Sequence, residues 1–162
     1  MPSDYENLLA QIKATLEGIA NIGQVHNRVR LPKGAGWAEF LTLFKSTIAG
    51  KEQIRGWMIT SSPREPLRQI RKTTGGQHQR SLRFKVLGVM GLDDAASSEV
   101  TFRSLAETVI DTFDALPTLS GKALGSEPAQ MPVFDTKNFG GVLCHYVEID
   151  LEFRIMRQIT YS

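Results

Sequence analysis

Three histidines, one cysteine and a row of alternating carboxylates are the side chains of this 162-residue chain best equipped for acid–base, nucleophilic or metal chemistry. His26, His78 and His145 fall in three different predicted elements, and none stands at a metal-ligand spacing from another histidine or from Cys144. A zinc centre needs converging ligands, and no short spacing motif or recognisable third ligand supplies them. Cys144 and His145 are adjacent, but neighbours in a strand point to opposite faces, so a thiol–imidazole dyad fails on geometry. Glu148, Asp150 and Glu152 have the residue types for acid–base work or for holding a cation. Their spacing of two is more simply the wet face of a strand lying opposite Arg83 and Lys85, where cross-strand ion pairs contribute about 0.2–1 kcal/mol each. Pro32-Lys33-Gly34-Ala35-Gly36 before a helix has the composition of an anion-binding turn, yet it is neither a Walker motif nor a full G-x-G-x-x-G. It is read as a tight connection. The chain is therefore expected to be no enzyme, with no catalytic residue, no cofactor and no metal.

Charge offers a different kind of chemistry. The net charge is only +2, too little to point to nucleic acid, but its distribution is uneven. Residues 64–85 carry Arg64, Arg68, Arg71, Lys72, Arg80, Arg83 and Lys85 against one acid, Glu65. Residues 93–114 carry Asp93, Asp94, Glu99, Glu107, Asp111 and Asp114 against one base, Arg103. Two adjacent blocks of opposite sign make these residues the candidate interaction surface, with Glu99 also explained locally by the positive end of a helix dipole.

Composition is that of an ordinary folded domain, 41% hydrophobic and 22% charged, and the length suits a single α/β domain over residues 1–162. A lone cysteine forms no internal disulfide and suits a reducing compartment. The start, Met1-Pro2-Ser3-Asp4, leads directly into an amphipathic pattern without a basic-then-apolar leader, so secretion is not expected. No uncharged apolar run approaches the roughly 20 residues of a membrane span.

The elements that must position these residues follow from periodicity. Residues 3–19 predict a helix with Leu8, Leu9, Ile12, Leu16 and Ile19 on one face and Ser3 and Glu6 as a capping box. A short strand over 24–31 follows, then a second amphipathic helix over 37–48 with Trp37, Phe40, Leu41, Phe44 and Ile48 as its core face. A strand over 54–60 leads through Pro63 and Pro66 to a polar, basic segment, residues 61–80, read as a projecting hairpin or loop. Its return strand spans 81–89. The third helix, capped by Asp93-Asp94 or Ser97-Ser98, buries Phe102, Leu105, Ala106, Val109, Ile110 and Phe113 and closes at Leu116-Pro117. Strands over 128–134 and 142–155 complete the order α-β-α-β-β-α-β-β. The alternation of Val147, Ile149, Leu151, Phe153 and Ile155 with charged residues implies a half-buried antiparallel strand. The fold class is α+β, a mainly antiparallel sheet with helices on one face.

Several segments resemble a family of small proteins encoded among phage and prophage tail genes: Gln24-Val25-His26-Asn27-Arg28, Ile54-Arg55-Gly56-Trp57-Met58-Ile59-Thr60, Arg83-Phe84-Lys85-Val86-Leu87-Gly88 and Gly91-Leu92-Asp93-Asp94-Ala95. Ser126-Glu127-Pro128 and Phe139-Gly140-Gly141-Val142-Leu143-Cys144-His145-Tyr146 extend the likeness over nearly the full chain. The resemblance implies a tail terminator or closely related neck protein: a virion component, made in the host cytoplasm, that forms a homo-oligomeric ring, hexameric in such proteins. The ring would sit on the last ring of tail tube protein and offer its other face to the head-tail connector or stopper, with DNA passing through its lumen. The alternatives are another neck or head-completion protein, or a nucleic-acid binding module that uses residues 64–85 on phosphates.

Overall fold

The computed structural model describes residues 2–30, 37–62, 70–72, 77–139 and 141–158. Helix α1 (Asp4–Glu17) starts as its sequence predicts. The Ser3 N–H donates to Glu6 Oε2 at 2.6 Å and the Glu6 N–H donates to Ser3 Oγ at 3.2 Å. The two bonds satisfy donors that a helix start otherwise leaves unpaired. β1 (Gln24–His26) is shorter than expected and lies parallel to β3 (Lys51–Ser61).

The second helix, α2 (Trp37–Phe44), ends four residues before the predicted boundary because Lys45–Ile48 forms strand β2, antiparallel to β3. Ile48 sits at helical spacing from Phe44, which extends the helical pattern. The backbone instead reverses at Ala49 (φ 51°) and Gly50 (φ 78°), the two positive φ values of a tight hairpin turn.

β4 (Ile70–Lys72) and β5 (Gln77–Gly91) pair antiparallel, so part of the segment expected as a loop or hairpin belongs to the sheet. The remainder of that segment, 63–69 and 73–76, lies outside the described residues, as does the turn 31–36. A single 3-10 turn, Asp94–Ala96, leads into α3 (Ser98–Asp114). β6 (Gly125–Ser126), β7 (Gln130–Phe139) and β8 (Val142–Gln158) follow.

The result is a mixed α+β fold in which the described residues form an eight-stranded sheet whose main path runs β1-β3-β5-β8-β6, with β2 on β3, β4 on β5 and β7 on β8. Every pairing is antiparallel except β1 with β3. Its spine is the β5–β8 ladder, in register from Gln77↔Gln158 to Gly91↔Cys144.

The helices do not share one face, which corrects the expected layering. Leu8, Ile12 and Leu16 of α1 and Phe102, Val109 and Phe113 of α3 pack with Trp57, Phe84, Val147 and Ile149. Phe40 and Phe44 of α2 pack with Met58, Val89, Cys144 and Tyr146, the alternate residues of the same strands. Both faces of the central strands are thus covered at this end, and burying each such side chain contributes about 1.5–3 kcal/mol. Gly56 and Gly88 make room for the aromatics: a Cβ on Gly56 would run into the Phe44 ring, and one on Gly88 would meet Trp57 Cζ3 at 2.5 Å.

Candidate interaction surface at the basic end of the sheet

The residues suited to chemistry are kept apart by the fold. His26 lies in β1, its Nε2 2.8 Å from the Leu43 carbonyl; His78 lies near the start of β5; His145 lies in β8 at the far end of the ladder. Among the described residues no group of three or more histidine, cysteine, aspartate or glutamate side chains is gathered as metal ligands would be. Cys144 and His145 face opposite sides of the sheet, as period two requires. The thiol is buried in the α2-side cluster, and burial pushes it up to about 11. The imidazole stacks on Phe102 and its Nε2 lies 2.8 Å from Ser98 Oγ, which also accepts the Asp93 N–H at 2.8 Å. Ser98 and His145 are 2% and 4% exposed, so the pair ties the start of α3 to β8.

The carboxylates of β8 meet the bases of β5 across the ladder. Arg83 Nε lies 3.3 Å from Glu152, and Lys85 Nζ lies 3.6 Å from Glu148 and 3.5 Å from Asp150. Register places Arg83 opposite Glu152 and Lys85 opposite Asp150, on the shared face that the alternation of β8 leads one to expect. Lys85 keeps only 16% of its side-chain exposure. Much of the charge of Arg83 and Lys85 is therefore neutralised within the subunit, although both belong to the basic block of the sequence. A cleft of about 300 Å³ beside them is bounded by Ser62, Glu127 and Pro128. Tyr146 donates to Glu148 at 3.0 Å, and burial with that carboxylate pushes its phenol well above the usual range.

What remains of the basic block is assembled by the sheet. Arg71 and Lys72 stand in β4 opposite Gln79 and His78, and Arg80 stands in β5 opposite Ile155. β8 adds two bases that linear reading misses: Arg154, opposite Ser81, and Arg157, opposite His78, both exposed. Segments 70–72, 77–82 and 153–158 thus bring five bases and no acid to one end of the ladder. Glu127, 3.8 Å from Arg154 Nε, stands beside them. The signal for this end lay at the end of β8, where the acids of the alternation give way to Arg154 and Arg157 follows on the opposite face. Arg64 and Arg68 lie outside the described residues.

The acidic residues divide. Asp93 and Asp94 follow Gly91, at the opposite end of the ladder, with Glu99 in the first turn of α3. Asp93 caps the 3-10 turn through the Ala96 N–H, while Asp94 and Glu99 are exposed. Glu107 pairs with Arg103 at 3.3 Å, Asp111 is exposed, and Asp114 accepts the Ala129 N–H at 2.8 Å. The five bases stand at or opposite positions 78–81 of β5, so at about 3.3 Å per residue roughly 33–43 Å of strand separates them from Gly91 and the acids that follow it. No helix among the described residues is long and apolar enough to cross a membrane.

No protein-family model matches the chain, and no curated protein sequence matches it.

Proposed function

We propose that this chain is a non-enzymatic structural subunit of a tailed-phage virion. In this role it associates with itself into a ring, hexameric by the family resemblance, that ends the tail tube and meets the head-tail connector or stopper. The observation that carries this is the separation of charge: five bases at one end of the β5–β8 ladder, with Asp94 and Glu99 beyond the other. Patches of opposite sign that do not overlap favour a contact between different surfaces of identical subunits, and such head-to-tail contacts close into rings when the rotation permits. Like charges placed across that contact cost several kcal/mol, so the test is charge reversal at the basic end. Arg80→Glu with Arg157→Glu should leave the thermal melt near that of the native chain and abolish ring formation by light scattering. Normal rings from this variant would remove the charged end from the assembly.

A second reading has support from the same five bases, which suit a phosphate backbone passing through a lumen or bound by the free subunit. Binding of this type weakens steeply with salt, because each neutralised phosphate releases counterions. Salt-dependent DNA binding by the isolated monomer would favour a nucleic-acid module over a ring subunit.

A further inference from the structure

β7 pairs with β8 along one side only, and no described strand pairs with its other side. Phe139 lies opposite Val142 across a two-residue connection, which makes the two a hydrogen-bonded pair. Alternation then turns the backbone groups of Lys137, Asp135 and Val133 toward β8 and those of Asn138, Thr136 and Phe134 outward. An independent contact agrees: the Thr136 N–H is outside the ladder and donates to Asp135 Oδ1 at 2.7 Å. The side chains of Asp135 and Lys137 share the face of Tyr146, which stands opposite Asp135 and over whose ring Lys137 Nζ lies at 4.0 Å. Asp135, Thr136, Lys137 and Asn138 are all exposed.

We infer that the outer edge of β7 is a docking surface for β7 of a second copy of this chain, in an antiparallel two-fold pairing centred on Thr136. That register sets Thr136 opposite Thr136 of the partner subunit and Phe134 opposite Asn138 of the partner subunit, each pair exchanging two backbone bonds. It also sets Asp135 opposite Lys137 of the partner subunit, and by symmetry Lys137 opposite Asp135 of the partner subunit, on one face. The edge is thus complementary in charge to itself, which selects a second copy as its occupant. Shifting the centre to Asp135 or Lys137 would place each of these side chains opposite itself or a neutral neighbour and lose both ion pairs. In the free subunit the Asp135 carboxylate occupies the central outward N–H, one way in which an edge strand is shielded from indiscriminate pairing. A two-fold contact of this kind is distinct from the head-to-tail contact of a ring and does not depend on it.

Sedimentation across a concentration series of the full chain tests this. In the Arg80→Glu, Arg157→Glu background, which removes the charged ring contact, the chain should pass reversibly from 18.0 kDa to twice that mass. Asp135→Lys alone and Lys137→Asp alone should each weaken the dimer about ten-fold, as two attractive cross-strand pairs become two repulsive ones. The double variant, with the charges exchanged, should restore it to within about three-fold. Thr136→Pro, which removes only an outward N–H, should keep the far-ultraviolet spectrum and abolish the dimer. A chain that stays monomeric in that background, single reversals without effect there, or a double variant as weak as the single ones would each overturn the inference. None of these results bears on the capping of tail tubes, which is read separately by imaging.

Discussion

Cys144 and Tyr146 lie in the cluster beneath α2, and both are held protonated by burial, the thiol up to about 11 against 9.0 for an ordinary cysteine. The unfolded chain ionises its thiol above about pH 9 while the folded chain resists until about 11, so the stability linked to this group is complete below pH 9 and is lost as pH rises toward 11. Tyr146 acts in the same direction through its raised phenol. Denaturant melts at pH 8, 9.5 and 11 should show a falling midpoint, and native Cys144 should react slowly with iodoacetamide at pH 8. A flat profile would place the thiol in contact with water. Gly56 and Gly88 offer a second test of the packing here: Gly56→Ala and Gly88→Ala should each cost about 1–3 kcal/mol, because the added methyl groups meet Phe44 and Trp57.

Elements with strong local signals were legible in the sequence. The capping box of Ser3 and Glu6 marks the start of α1, and Ser3→Ala should lower stability by about 1 kcal/mol in a thermal melt. The alternation through β8 puts Glu148, Asp150 and Glu152 on one face opposite Arg83 and Lys85, while the individual partners, Arg83 with Glu152 and Lys85 with Asp150, are set by register. β2, β4 and β6 were missed because strands of two to four residues carry too little periodicity and exist through their long neighbours. The two-sided burial of the sheet had a signal that alternation obscured. Trp57-Met58-Ile59 and Cys144-His145-Tyr146-Val147 are continuous buried runs, as expected where helices cover both faces. At this scale Arg157 is an exposed side chain outside the core: Arg157→Glu alone should change stability by less than about 0.5 kcal/mol while weakening assembly.

Across the whole molecule, the sequence revealed the two blocks of charge but not how the sheet redistributes them. Pairing across 63 to 69 residues of chain removes Arg83 and Lys85 from the free basic surface, and pairing across 73 and 79 residues brings Arg154 and Arg157 to it. Such partners are fixed by strand register, which no local spacing encodes. With the histidines dispersed, a chelator should leave the melting temperature and assembly unchanged; a large drop reversed by one metal would contradict a purely structural role. The most direct test of that role is negative-stain imaging of the purified protein with and without isolated tail tubes. A ring of this chain seated on one end of each tube, reduced or absent in the Arg80→Glu, Arg157→Glu variant, is the predicted result. Bare tube ends at saturating protein, with the chain remaining free in solution, would contradict it.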